Sequence, residues 1–365
     1  MSKNNKFCIF CGQKPSNKNK EHILPKWLLS MTGDPNREVS LGRNWNSKEL
    51  EVRKYNFSSY TFPACKSCND QYGVMEREVK PIIQRIEAGF PINLSETDLL
   101  LDWFDKVRTG LWLASFYLNK NWRGIEPSFY IKQRVGQKDR CLFLYKSADP
   151  IPGLTILGVD TPLFDSMPSV FGLRIEGMFF ISISTDMLLH KAFGLPVIKN
   201  KTAVVGKDGH FINFERGSER IIEPDLMTKY FPPTSTGVYQ PIMRVEVRAP
   251  ESSDNEFSSE YCRKLFNHEE YKGPAFLSSQ FESFSEFSPN SQRFFSPNRV
   301  FSNNYLSAEL SCCIADLQRD LYNEHVTFDG IEGDDLKFYE QQKRSTLALH
   351  NVIIDTFKQQ AMEYL

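Results

Sequence analysis

The sequence predicts an α+β protein in which a zinc-stabilised N-terminal module precedes a helical connector, a β-rich middle region and C-terminal helices. Three observations predict this order. Two C-x-x-C pairs lie within the first 68 residues, an apolar helical stripe follows them, and short β-rich runs then precede two further helical stretches. The chain of 365 residues is long enough for two or three domains. We therefore divide it into residues 1–90, 91–125 and 126–365.

The four paired cysteines predict a structural zinc site. Cys8 and Cys11 form one pair, Cys65 and Cys68 form the other, and 53 residues separate the pairs. Two such turns supply the four thiolates of a tetrahedral Zn²⁺, and a closed shell of this kind leaves no position for a substrate. The N-terminus lacks an apolar secretory segment, so we expect a cytoplasmic protein, in which paired cysteines bind metal more often than they form disulfides.

The formal net charge of −1 conceals an asymmetry. Residues 1–80 hold 14 Lys and Arg against 8 Asp and Glu, whereas the remaining 285 residues carry a net charge of −7. This favours contact between the N-terminal module and a nucleic acid; a merely Lys-rich surface is the alternative. No apolar run reaches the roughly 18 residues of a membrane span, so no membrane partner is expected. The candidate phosphate contacts are Lys14, Lys18, Lys20, Lys26, Arg43, Arg53, Lys54 and Lys66.

Local patterns indicate the positions of the remaining elements. A helix is predicted from Asn69 to Ala88, with Pro81 as a kink or a second start and Gly89 as its end. An N-cap is predicted at Ser95, opening an apolar helix that we expect to pack on the following region. Residues 276–302, with 7 Phe and 8 Ser, predict an ordered loop or a docking surface. The runs CLFLYK, LTILGV, SVFGLRI and MFFISIS predict strands, and 305–325 and 334–364 predict helices.

Glu21 and His22 stand between the cysteine pairs, and Asn69 directly follows the second pair. Folding around zinc is expected to bring these three side chains together. Carboxylate and amide oxygens suit a catalytic Mg²⁺ or Mn²⁺, and an imidazole accepts a proton from water near neutral pH. A cation and a base are what phosphodiester hydrolysis needs. Alternatively, Glu21 is a surface acid and His22 a core residue. Glu76 is a further candidate ligand, with a solvated helix face as its alternative.

The motifs CIFCG, EHILP and CKSCN resemble the HNH, or ββα-metal, endonuclease family in its four-cysteine treble-clef form. The resemblance covers roughly residues 6–80. It implies that Glu21 binds the catalytic cation, that His22 is the general base, and that Asn69 is the metal ligand at the family's last His or Asn position. It also implies DNA as the expected substrate, with RNA as an alternative, and products with 5′-phosphate ends.

The sequence departs from the family pattern between the two cysteine pairs. The family's middle Asn orients the base and stands shortly before the second pair, where this chain has Tyr60. The nearest candidates are Asn56, Asn46 and Asn44. The stretch between His22 and the second pair is also longer than in compact members. Either an inserted loop there recognises the substrate or the site has lost its activity.

Two functional hypotheses follow from these patterns. The first is a metal-dependent HNH endonuclease acting on DNA. Its architecture is similar to that of nucleases in bacterial anti-phage and mobile-element systems. Because a free nuclease would be toxic, we expect the acidic C-terminal region, a partner protein or homo-oligomerisation to gate its activity. The second is a non-catalytic zinc-finger module that binds nucleic acid or protein, with a large C-terminal region as a sensor or assembly domain.

Overall fold

A computed structural model of the chain describes residues 7–43, 52–59, 61–118, 127–185, 197–206, 209–217, 230–232, 235–240, 275–279, 284–286, 291–295, 297–328 and 330–364. Helices and antiparallel sheets are mixed in this structure, which confirms the α+β fold class. Three residues considered above, Asn44, Asn46 and Tyr60, lie outside the described residues, as do the side chains of Arg43 and Arg53.

The N-terminal part consists of two small sheets and a long helix. Strand β1 (Asn19–His22) pairs antiparallel with β4 (Thr61–Ala64), so that Glu21 lies opposite Phe62. Helix α2 (Lys66–Glu87) begins directly after β4 and packs on β1. This places two strands and a helix next to one another. Inserted between the two strands are α1 (Lys26–Met31), the antiparallel pair β2 (Glu38–Arg43) and β3 (Val52–Asn56), and a 3-10 turn over Phe57–Ser59.

Helix α2 continues through Pro81 as one element, so the proline neither ends it nor starts a second helix. Pro81 lies on the exposed side, where the backbone hydrogen bond that it cannot donate is least costly. The buried face of α2 carries Tyr72, Val79, Ile82 and Ile83. Gly89 follows with a φ of +78°, a conformation that glycine adopts without strain, and the chain turns away there as predicted.

Helix α3 (Leu94–Leu118) begins earlier than the sequence indicated. The Asn93 side-chain oxygen accepts the Glu96 backbone N–H at 2.9 Å, and the Glu96 carboxylate accepts the Asn93 backbone N–H at 2.9 Å. This reciprocal capping box makes Asn93 the cap, so the prediction of Ser95 was wrong by two positions. From residue 100 to 114, α3 is buried at almost every position, because it packs between the N-terminal part and the large sheet.

A seven-stranded antiparallel sheet forms the centre of the remaining chain, and it includes all four predicted strand runs. Its spatial order is β14-β13-β12-β6-β9-β8-β7. The members are β6 (Asp139–Lys146), β7 (Leu154–Leu157), β8 (Val170–Ile175), β9 (Met178–Thr185), β12 (Thr236–Gln240), β13 (Phe276–Ser279) and β14 (Phe284–Glu286). Outside it, β10 (Val197–Gly206) pairs with β11 (Gly209–Gly217), and β5 (Ile92–Asn93) pairs with β15 (Gln292–Arg293).

Both faces of the large sheet are covered. Alternate residues of β6 enter different cores: Leu142 and Leu144 lie in the core shared with α3, whereas Phe143 and Tyr145 lie in the core shared with helix α5 (Asn303–His325). The remaining helices are α4 (Pro162–Ser166), α5 (Asn303–His325) and α6 (Gly333–Glu363), of which α6 packs on α5. Among the described residues, no helix has the length and apolar character that crossing a bilayer requires.

Candidate metal centre and active site

The four paired cysteines come together at the N-terminal end of α2. Their sulfur atoms all lie within 4.8 Å of one another, and the Cys11 and Cys65 sulfurs are 3.9 Å apart. Backbone N–H groups support this cluster, since Cys65 donates to the Cys8 sulfur at 3.2 Å and Ser16 donates to the Cys65 sulfur at 3.3 Å. Four sulfurs at these separations fit the corners of a tetrahedral zinc site.

The electrostatics of the cluster also favour a bound cation. Hydrogen bonds from the Ser16 side chain and from its backbone N–H lower the pKa of the Cys65 thiol to about 7. Burial, together with the negative charges of Cys8 and Cys11, raises the pKa of Cys68 to about 12. Four crowded thiols therefore cannot all ionise without a compensating positive charge, which a bound Zn²⁺ would supply.

The first cysteine turn is held by a segment that follows α3. The Ile131 and Lys132 backbone N–H groups donate to the carbonyls of Ile9 and Phe10 at 3.3 and 2.8 Å. Gly12 has a φ of +75°, and a Cβ built there would lie 2.3 Å from the Tyr130 ring. Only glycine fits this turn without moving Tyr130, which explains the glycine directly after the second cysteine.

Glu21 faces a buried lysine, Lys106, which no sequence pattern indicated as part of the site. Lys106 stands on α3, and its ammonium lies 2.5 Å from a carboxylate oxygen of Glu21 and 2.5 Å from one of Glu76. The Glu21 contact is an ion pair rather than a well-directed hydrogen bond. The two carboxylate oxygens are at most about 5 Å apart, because both contact the same nitrogen. The structure thus places Glu76, the secondary candidate, beside Glu21.

The charges in this group are strongly coupled. The Lys106 side chain is 0% exposed, against 7% for Glu21 and 16% for Glu76. Burial works against the ammonium, but the two carboxylates outweigh it and raise the pKa of Lys106, which stays charged. Burial also raises the pKa of Glu76, with Lys106 opposing this shift and Glu21 adding to it. The formal charges of the three groups, one positive and two negative, sum to −1.

His22 is fixed through its ring by the turn that follows β3. Its Nε2 lies 3.2 Å from the Ser58 carbonyl oxygen. A carbonyl only accepts, so Nε2 carries the proton and Nδ1 is the unprotonated nitrogen of the neutral ring. The Asn56 side chain accepts the Ser58 N–H at 3.0 Å and the Ser58 hydroxyl at 2.6 Å, and it donates to the Asn36 carbonyl at 2.7 Å. Asn56 therefore fixes the turn that orients His22.

The surroundings keep His22 in its neutral form. Burial lowers the pKa of this histidine below its usual 6.5, and the positive charges of Lys26 and Lys106 act in the same direction. The hydrogen bond to Ser58 and the charge of Glu76 oppose the shift. A neutral imidazole at physiological pH is able to accept a proton.

Asn69 stands in the first turn of α2, where its backbone N–H donates to the Cys65 carbonyl at 3.0 Å. Its half-buried side chain makes no hydrogen bond to Glu21 or His22 within the described part of the chain. Asn69 and Glu76 are seven residues apart, so they share one helix face with a separation of about 10 Å along the axis. Gly73 lies between them on this face, and a Cβ built there would meet no atom within 4 Å.

The lysines proposed to contact phosphate fall into two groups. Lys54 pairs with Glu38 at 3.1 Å and Lys66 pairs with Asp70 at 2.5 Å, both on the exposed surface. The other lysine side chains of the set that the structure describes are also exposed: Lys14, Lys18, Lys20 and Lys26.

Sequence reasoning therefore selected Glu21, His22 and the cysteines but missed the residues that hold them. Lys106 was missed because it lies in a helix whose sequence is mainly apolar. Ser58 was missed because it acts through its backbone carbonyl, and any residue type supplies a carbonyl. Asn56 was one of three candidates, and its closeness to the second cysteine pair was its only distinguishing signal. No protein-family model matches the chain, and neither a curated protein nor a solved structure matches it.

Proposed function

We propose that this chain is a metal-dependent endonuclease of the HNH type that hydrolyses phosphodiester bonds, with DNA as the expected substrate. The observation that carries the proposal is the position of His22. His22 is the last residue of β1, and its neutral ring is hydrogen-bonded to the Ser58 carbonyl. The residue before it, Glu21, belongs to a carboxylate pair with Glu76. The helix that provides the other carboxylate starts at the four-cysteine cluster.

His22 acts as the general base through Nδ1. It takes a proton from a water molecule positioned for attack on phosphorus, while Nε2 remains hydrogen-bonded to Ser58. Glu21 and Glu76, with Asn69 on the same face of α2, would hold a Mg²⁺ or Mn²⁺ ion through their side-chain oxygens. Such an ion would supply charge stabilisation for the pentavalent phosphorus and the leaving oxygen. A Zn²⁺ held by the four cysteines would have a structural role.

Substitution of the base tests the proposal. Zinc-loaded wild-type protein and His22→Ala are incubated with plasmid, single-stranded DNA and RNA in Mg²⁺ or Mn²⁺. The variant is expected to cleave about 100-fold more slowly or worse, since a positioned base contributes about 10²–10⁴ in rate. Asn19→Ala, an exposed residue on the same strand, is the matched control and keeps the wild-type rate. Equal rates for wild type and His22→Ala would refute the assignment.

One observation favours the non-catalytic alternative. Glu21 is buried and already paired with Lys106, so it is not a freely available metal ligand. A zinc-stabilised module with exposed lysines would still bind nucleic acid through phosphates. This alternative predicts a gel shift that weakens steeply with salt and no cleavage by the wild-type protein in either cation.

A further inference from the structure

Lys106 occupies the position between two carboxylates where a cation is expected. Its ammonium lies 2.5 Å from Glu21 and from Glu76, and its third close partner is the Ile23 carbonyl at 3.1 Å. The ammonium donates hydrogen bonds to Glu76 and to the Ile23 and His22 carbonyls, the last at 3.4 Å. It forms an ion pair with Glu21 and is completely buried. A lysine held in this way is a permanent part of the site rather than a surface side chain that has folded inward.

A fixed positive charge at this point opposes the binding of a second cation. Two carboxylates alone would attract a divalent ion strongly, but Lys106 reduces the formal charge of the group from −2 to −1. A divalent ion on the same carboxylates would also lie within a few ångströms of the ammonium, where repulsion between charges is only partly screened. The affinity of the site for a divalent ion must therefore depend on Lys106.

We propose that Lys106 is a built-in competitor of the divalent cation, occupying the gap between Glu21 and Glu76 and keeping cation binding weak in the wild-type protein. The inference rests on the proposed function, because it takes these carboxylates as the cation ligands. It adds a regulatory element that lies outside the zinc-stabilised module itself.

Lys106 belongs to α3, a helix that is hydrogen-bonded to the part of the chain containing the large sheet. Helix α3 is bound to the rest of the chain through Arg108, whose guanidinium donates to the Ser182 hydroxyl of β9 at 3.1 Å. Trp112 of the same helix donates to the Asp165 carbonyl of α4 at 2.8 Å. The charge that sets cation affinity is therefore attached to the sheet-bearing part of the chain, which thereby controls the chemistry of the N-terminal part.

Equilibrium binding of Mn²⁺ tests the inference without any cleavage assay. The zinc-loaded full chain is titrated with Mn²⁺, and the free ion is measured by electron paramagnetic resonance. Lys106→Met removes the charge and keeps a side chain of similar length, so the dissociation constant is expected to fall at least tenfold. Lys80→Met, an exposed lysine one turn beyond Glu76 on α2, is the matched control and is expected to stay within twofold of wild type. An unchanged or weaker affinity in folded Lys106→Met would overturn the inference.

Glu76→Gln provides a second measurement if Lys106→Met does not fold. In this variant Lys106 stays balanced by Glu21, so folding is expected to be retained. One carboxylate ligand is lost and the remaining one is neutralised, so Mn²⁺ binding is expected to weaken at least tenfold. Wild-type affinity in Glu76→Gln would exclude this carboxylate from the cation site and overturn the inference.

The outcomes separate the inference from the proposed function. Tighter Mn²⁺ binding by Lys106→Met, combined with no cleavage of any nucleic acid, supports the competitor role and refutes the nuclease. If cleavage depends on His22 but the Mn²⁺ affinity of Lys106→Met equals that of the wild type, the nuclease is supported and the competitor role is refuted.

Discussion

Asn56 is expected to control the activity of His22 through the Ser58 carbonyl that binds the histidine ring. Asn56 makes hydrogen bonds to the Ser58 N–H, the Ser58 hydroxyl and the Asn36 carbonyl, at 3.0, 2.6 and 2.7 Å. Together these bonds set the position of the carbonyl that binds the His22 ring at 3.2 Å. Asn56→Ala removes them while leaving His22, Ser58 and both carboxylates in the chain.

Asn56→Ala is expected to lower the catalytic rate more than it lowers the stability of the fold. Each hydrogen bond contributes about 1 kcal/mol to stability in general, but Asn56 is exposed and water replaces much of what is lost. We expect a destabilisation of about 1 kcal/mol for the whole set. A base that loses its orientation forfeits part of its rate contribution of about 10²–10⁴, so we expect kcat to fall at least tenfold, or about 1.4 kcal/mol in activation free energy.

The assay compares kcat and KM for plasmid cleavage with the midpoint of urea unfolding. Asn36→Ala is the control, because it changes the same residue type at the other end of this hydrogen bond but preserves the backbone carbonyl that Asn56 binds. A fall in kcat with little change in KM is expected for Asn56→Ala alone. If Asn56→Ala cleaves as fast as wild type, or if Asn36→Ala loses as much, Asn56 does not position the base.

Three further predictions follow from the same geometry. Cys68→Ser is expected to purify without stoichiometric zinc and to unfold at lower temperature, because it opens the thiolate shell; mass spectrometry of the metal content checks this, and retained zinc would contradict it. The value of kcat/KM is expected to fall with decreasing pH through an apparent pKa below 6.5, because burial lowers the pKa of the base and protonation inactivates it; residual activity of His22→Ala should lack this limb. Gly12→Ala is expected to destabilise the protein by about 2 kcal/mol in urea unfolding, since its Cβ would lie 2.3 Å from the Tyr130 ring at a φ of +75°; an unchanged midpoint would mean that the ring moves at no cost.

The elements that the sequence predicted are those determined by local pattern. The run CLFLYK places apolar residues in succession, as expected for a strand buried on both faces, and β6 contributes to cores on both sides of the sheet. The C-x-x-C spacing likewise determines which sulfurs meet, because each turn presents two of them. The start of α3 was missed because Asn93 and Ser95 are both good caps, and the reciprocal bond with Glu96 selects the first.

The residues that could not be predicted are those whose role depends on distant partners. Lys106 lies in the stretch LLLDWFDKVRTGLWL, where a charged residue reads as the polar side of a helix. Complete burial of a lysine is rare and requires compensating charges. Here those charges come from Glu21 and Glu76, which are 85 and 30 residues away in the chain. A short stretch of sequence around Lys106 therefore contains neither of the carboxylates that compensate its charge.

The two sites of the N-terminal part are supported by residues that follow it in the chain. The sequence pattern changes near residue 90, but the structure places two essential supports beyond that point. Without Lys106, Glu21 and Glu76 would be two buried carboxylates at most about 5 Å apart with no counter-charge, an arrangement that costs several kcal/mol in general. Without the segment around Ile131, two carbonyls of the first cysteine turn would lose their N–H partners. The four-cysteine cluster and the carboxylate pair therefore depend on α3 and the segment after it, and the structural unit that supports them extends at least to that segment.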